Sequence, residues 1–356
     1  MDDAVPAPVE HTVLDDLRTR LRTYLPVPPT TTAGWERGTE PGYLADLVSS
    51  WADDYDWRPH EERIRAMPWA RTSRLRAVHQ RAALPSATTV VLLHGWPDSV
   101  LRYERVLPLL TDVHIVVPAL PGYPFSAPLD DHDLSSADMS QIVAEAMAEL
   151  GYERYVVSAG DIGRGVATAL AVRYPERVAA LHVTDVPLTA ASAGDPATEE
   201  ERAYRKRVDQ WRATEGGYLH QQATRPHTLS VALGDSPAGL AAWIVEKLRD
   251  WSDCDGDVES VFPREQLLTW ITAYWVTRAI GTSFAAYAKP SPPFDRIGVP
   301  TVVSQFPRET VQAPRSVAER LFDLRVWERG TRGGHFAAWE QPEEFVGFLR
   351  AAIALV

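Results

Sequence analysis

Tyr155-Val156-Val157-Ser158-Ala159-Gly160-Asp161-Ile162-Gly163 is the stretch that decides the fold. Its first half is apolar and β-branched, as a buried strand requires, and a helix-like run rich in Ala, Val and Leu follows it. Strand and helix are joined by a tight turn with small residues, Ala159 and Gly163, two positions on either side of Asp161. That is the pattern of a nucleophile elbow, usually written G-x-S-x-G. Small neighbours are needed because the turn is strained and the helix packs close to the strand. Here an aspartate stands where a serine is usual. A carboxylate is already anionic at neutral pH and needs no base to activate it. It suits attack on an sp3 carbon, which makes an alkyl ester that water must then cleave.

The same rhythm extends outward from the elbow. Val90–Leu93, His114–Val117, Leu181–Thr184, Thr301–Ser304 and Leu324–Trp327 read as further strands, and about 136–150 and the end from about Gln341 read as helices. Continuous apolar strands separated by helices indicate a mostly parallel sheet covered on both faces. The expected class is therefore α/β. Residues 1–84 read as an N-terminal extension. In it Leu14, Leu17, Leu21 and Leu25 recur at helical spacing, a second helix covers Pro41–Tyr55, and Arg74–Ala82 alternates like a strand. Core segments are expected at 85–190 and 295–356. Between them, 191–294 is rich in helix formers and tryptophan and reads as a helical insertion.

Composition bounds the function. The chain has 356 residues, is 45% hydrophobic and carries a net charge of −12, which argues against a nucleic-acid or anionic-membrane partner. A single cysteine, Cys254, excludes an internal disulfide and fits a reducing compartment. The start, Met1-Asp2-Asp3, lacks the apolar run of a secretory signal, and no run approaches a membrane span. Only three of 36 basic residues are lysine, which is a bias of composition rather than a sign of function.

Hydrolases with this elbow order their triad as nucleophile, acid, histidine. Gly333-Gly334-His335-Phe336 follows the last strand, so His335 is the expected base. Glu309 is the first carboxylate after the preceding strand and is expected to orient the imidazole, with Asp185 as the rival. His94-Gly95-Trp96-Pro97 follows an early strand. The backbone N–H groups of Trp96 and Ile162 can converge there on one oxygen as an oxyanion hole, while the His94 side chain reads as a turn or packing residue.

Taken together, His-Gly-Trp-Pro, the Gly-Asp-x-Gly elbow and Gly-Gly-His-Phe-Ala-Ala-Trp-Glu at 333–340 resemble the microsomal-type epoxide hydrolases, including those that act on juvenile hormone. The lid-like runs Glu215–Pro226 and Ser236–Trp243 and the segment Trp51–Pro68 are similar as well, so the resemblance covers roughly residues 12–350. It implies an α/β-hydrolase fold with a helical lid over 191–294. It also implies two lid tyrosines against the epoxide oxygen. Tyr218, in Gly-Gly-Tyr-Leu-His, carries over as the first. Tyr287 carries over as the second, with Tyr274 as its substitute. A phenol can hydrogen-bond the developing alkoxide and then protonate it. No metal and no organic cofactor is implied.

Three departures stand out. Ile162 follows the nucleophile where tryptophan is common, Asp98 follows His-Gly-Trp-Pro where glycine is common, and the membrane anchor of the animal enzymes is missing. The expected partners are a small apolar epoxide and water in the cytoplasm, with no nucleic acid and no membrane; a homodimer stays open. The alternatives are a haloalkane dehalogenase, for which Ile162 supplies no indole donor, an epoxide-opening cyclase using a substrate hydroxyl, and a non-catalytic ligand-binding homologue.

Overall fold

The computed structural model describes residues 3–29, 34–129, 131, 133–192, 194–292, 294 and 296–356. The N-terminal part begins with helices α1 (His11–Arg22), α2 (Pro41–Asp53) and α3 (Trp57–Arg65). Leu14, Leu17 and Leu21 are buried on one face of α1, as their spacing requires. Leu25 does not continue that stripe. The helix stops at Arg22, and Leu25 stands 83% exposed. The physical reason is Pro26, since a residue preceding proline is driven out of helical geometry.

Eight strands form one sheet: β1 (Trp69–Arg71), β2 (Arg76–Gln80), β3 (Thr89–Leu93), β4 (His114–Ala119), β5 (Tyr155–Ala159), β6 (Val178–Val183), β7 (Ile297–Gln305) and β8 (Phe322–Arg329). Their spatial order is β1-β2-β4-β3-β5-β6-β7-β8. From β4 to β8 every pairing is parallel, with Val91 opposite Val116 on one side and Val157 on the other. At the other edge β2 runs antiparallel to β4, Val78 opposite Val117, and β1 pairs antiparallel with β2. The sheet thus begins inside the segment read from sequence as an extension. Central strands β3, β4, β5 and β6 are buried along their whole length, which explains their continuous apolar runs.

Helices α4 (Ser136–Glu149) and α5 (Asp161–Arg173) pack against each other beside the sheet. α4 opens with a capping box in which Ser135 and Asp138 satisfy each other's backbone N–H groups. Between β6 and β7 lie α6 (Glu199–Thr214), α7 (Gly217–Thr224), α8 (Pro226–Asp235), α9 (Pro237–Asp250), α10 (Arg264–Thr277) and α11 (Ala285–Ala288). α10 is buried on nearly every side, and the Trp51 indole of α2 donates to Thr272 on it at 2.9 Å. The N-terminal helices are therefore tied to the insertion, and α3 also meets the sheet, its Ile64 carbonyl accepting from the Trp69 indole of β1 at 2.7 Å. After β7 come α12 (Arg315–Leu321), α13 (Ala337–Glu340) and α14 (Pro342–Ile353). Among the described residues no single helix is long and apolar enough to cross a membrane.

Candidate active site

The loops leaving β3, β5, β7 and β8 gather at the C-terminal ends of their strands, the face where parallel sheets place their ligands. Asp161 sits at the start of α5 with φ of 54°, the left-handed conformation that an elbow imposes on its central residue. The tightness of the turn explains two glycines. A Cβ on Gly163 would strike the carbonyls of Leu93 and His94, and one on Gly95 would lie 2.5 Å from Asp161 Oδ1.

The Trp96 N–H donates to Asp161 Oδ1 at 2.8 Å, and the Ile162 N–H also faces the carboxylate. Burial raises the Asp161 pKa above the usual carboxylate value, against the opposing pull of the His335 charge and these two N–H groups. Asp161 Oδ2 lies 3.8 Å from His335 Nε2. On the far side of the ring, His335 Nδ1 is 2.9 Å from Glu309 Oε1. Burial opposes a charge on His335, but the Glu309 and Asp161 carboxylates overcome it and push the imidazole pKa up to about 9. Glu309 is itself held anionic: burial works against it, while the imidazolium and the Thr310 N–H and hydroxyl lower its pKa.

Asp185, the rival acid, lies elsewhere. It accepts from the Asp161 backbone N–H at 3.0 Å and pairs with Arg164 at 2.7 Å, bracing the elbow from below. Tyr218 and Tyr287 both line the cavity above Asp161, with ring centroids 6.2 Å apart. The Tyr218 ring stacks on the Trp96 indole at 5.5 Å, and the Tyr287 hydroxyl is buried with no hydrogen-bond partner among the described residues. Burial first, then the nearby Asp161 charge, holds both phenols well above their ordinary pKa, so both keep their protons at neutral pH. Tyr274 points away: its hydroxyl donates to the Asp98 carbonyl at 3.0 Å. The His94 side chain accepts from the Leu120 N–H at 3.1 Å and packs edge-on against Tyr123. Every residue expected at the reacting centre is thus brought together, and Asp185, Tyr274 and His94 lie outside it.

Supporting residues that sequence reasoning missed surround this centre. Asp98 accepts from the Gly95 N–H at 2.8 Å and pairs with buried Arg102, whose other nitrogen donates to the His335 carbonyl. One ion pair therefore links the turn carrying Trp96 to the loop carrying His335. Buried Glu340 accepts from the N–H groups of Asp253, Gly334 and Phe336, clamping the His335 loop from behind. Lys247 is buried on α9, paired with Glu246 and placed 5.0 Å over the Tyr218 ring. The four-residue step from Asp98 to Arg102 is the one such signal visible in the sequence.

The sheet, its helical crossovers and the elbow define an α/β-hydrolase. Residues 4–103 match the model of the epoxide hydrolase N terminus, and residues 88–228 match that of the alpha/beta hydrolase fold. The chain is 35% identical over 364 residues to a Stigmatella aurantiaca protein provisionally named an epoxide hydrolase, covering 96% of this chain and 82% of that one. It is 30% identical over 390 residues to the juvenile hormone epoxide hydrolase of Bombyx mori, covering 96% and 84%. The epoxide hydrolase structure of Aspergillus niger superposes with a TM-score of 0.87 at 29% identity, covering 98% of this chain and 95% of that one. The chain belongs to the epoxide hydrolase family.

Proposed function

We propose that the protein converts an epoxide to a vicinal diol in two steps on Asp161. In the first, Asp161 Oδ2 attacks an epoxide carbon and the C–O bond breaks. The electron pair goes to the ring oxygen, which takes a proton from Tyr218 or Tyr287. In the second, His335 Nε2 removes a proton from water, which attacks the ester carbonyl carbon. Charge then develops on Oδ1 against the N–H groups of Trp96 and Ile162. Collapse sends the proton held on His335 to the departing diol oxygen, and the proton left on the Asp161 carboxyl returns to the phenolate, so the diol leaves with carboxylate, imidazole and phenol restored.

One observation carries the reading: a single carboxylate has Oδ1 on the Trp96 N–H at 2.8 Å and Oδ2 facing His335 Nε2 at 3.8 Å. Charge explains the order of the steps. While Asp161 is anionic it helps keep His335 protonated. Esterification removes that charge, lowers the imidazole pKa and frees Nε2 to act as base only once there is an ester to hydrolyse. Glu309 would orient the ring throughout.

On this reading, residues 191–294 serve as the lid that carries the two phenols, over a core made of 85–190 and 295–356 to which the 1–84 segment adds strands β1 and β2 as well as its helices. The partners are an apolar epoxide and water, and a cytoplasmic setting is supported by the lone, buried Cys254. The test is diol formation from a panel of small neutral epoxides, with Asp161→Ala as control. No diol from any of them with the wild-type protein would overturn the proposal.

A further inference from the structure

The cavity containing Asp161 and His335 is longer than ring opening needs. It encloses about 660 Å³ and continues past the reacting carboxylate along the outer face of α5. Ile162, Gly165, Thr168, Ala169, Val172 and Arg173 line that continuation. These positions recur at steps of three and four, so they form one stripe along the helix. At the usual rise per residue the stripe extends about 18 Å from Asp161 to Arg173. Apart from Arg164, which is paired with Asp185, its α5 wall is small or apolar: the Thr168 hydroxyl is turned back onto the Gly165 carbonyl at 3.0 Å, and Val172 stands 44% exposed.

The trough ends in a cation. The Arg173 guanidinium donates to the Ala137 carbonyl at 2.9 Å and to Gln141 Oε1 at 3.4 Å. Among the described residues no carboxylate lies within ion-pair distance of it. The other carboxylates lining the cavity are occupied, Asp185 with Arg164 and Glu309 with His335. In a chain of net charge −12, the outer end of the substrate cavity is therefore left positive among the described residues.

We infer that the groove selects an elongated amphipathic epoxide: the ring sits against Asp161, an unbranched alkyl chain lies along α5, and a carboxylate at the far end meets Arg173. This inference rests on the epoxide-opening reading above. Each methylene laid on the apolar stripe leaves water, and a guanidinium takes a carboxylate through two parallel N–H bonds. The contact lies far from the reacting atoms, so it is felt equally in ground and transition states. It therefore lowers KM and leaves kcat in place.

Three probes test this: a long-chain epoxy acid with its ring remote from the carboxylate, the methyl ester of that acid, and a short epoxy acid that cannot span the trough. We expect the wild-type protein to prefer the long acid over its ester by about twofold to fivefold in kcat/KM, the range of a partly exposed ion pair. The short acid should gain nothing over its own ester. In Arg173→Gln, an exposed substitution, the ratio of acid to ester should fall to about one. Arg173→Lys should keep part of the preference, and added salt should shrink it. Equal kcat/KM for acid and ester in the wild type, or a preference that survives Arg173→Gln, would overturn the assignment while diol from the ester still upheld the reaction. No diol from acid or ester would overturn the reaction and this substrate with it.

Discussion

Replacing His335 by glutamine should trap the protein on its substrate. The glutamine amide can still donate to Glu309 and fill the space between the Trp251 and Phe336 rings, which pack edge-on against the imidazole at 5.2 Å each. It cannot take a proton from water. The nucleophile is untouched: Asp161 keeps its hydrogen bond from Trp96 at 2.8 Å, and the lid phenols keep their protons. Ring opening should therefore proceed while ester hydrolysis slows by about 10²–10⁴-fold, the contribution of a positioned general base. That factor is about 3–5 kcal/mol on the second barrier alone. Epoxide opening expels no leaving group, so the intact protein should gain the whole mass of the substrate, localised to the peptide containing Asp161. Mass spectrometry after mixing with an epoxide that the wild type hydrolyses is the assay. An unmodified, folded His335→Gln protein would refute the ester intermediate.

Glu309→Gln should lower turnover by about 10⁴-fold, as for analogous triad acids, whereas Asp185→Asn should cost far less because its remaining oxygen can still accept from the Asp161 N–H; the reverse ranking in steady-state rates would move the acid. Tyr218→Phe and Tyr287→Phe should each slow alkylation of Asp161 by about 10²–10⁴-fold and barely change ester hydrolysis, as resolved by stopped-flow single turnovers; unchanged alkylation in either variant would remove that phenol from the proton-donor role. Stability should depend on pH through His335. Its folded pKa is raised from 6.5 to about 9, so its contribution is complete below pH 6.5 and is lost as pH rises through 9. Melting temperatures from pH 6 to pH 10 should therefore fall more steeply for the wild type than for His335→Gln, and parallel curves would contradict a stabilising ion pair at this histidine.

The candidate positions that the structure brings together were legible because their signals are local. Asp161 needs a strained turn with small residues at fixed offsets, and His335 and Glu309 follow from chain order once the strands are counted. Tyr218 and Tyr287 were reachable through resemblance alone, since nothing in a lid sequence separates a proton donor from a packing ring. Other features depended on contacts remote in sequence. The three-residue strand β1 is too short for its period to show. The antiparallel pairing of β2 with β4 is set by register across the fold rather than by either strand. The burial of Lys247 contradicts its type, and the Glu246 carboxylate and the Tyr218 and Trp251 rings beside it compensate the charge. The trough along α5 could not be read either, because α5 buries one face and its outer face looks like an ordinary helix surface until Tyr218, Leu219 and Tyr287 join it in lining one cavity.

If the protein works through an aspartyl ester, water attacks Asp161 and never the epoxide. A single turnover in heavy-oxygen water, with protein in excess over substrate, tests this most directly. The new hydroxyl of the first diol should come from the Asp161 carboxylate, so that diol should carry no heavy oxygen and the label should appear in the peptide containing Asp161. Heavy oxygen in the first-turnover diol, with none in that peptide, would contradict nucleophilic attack by Asp161.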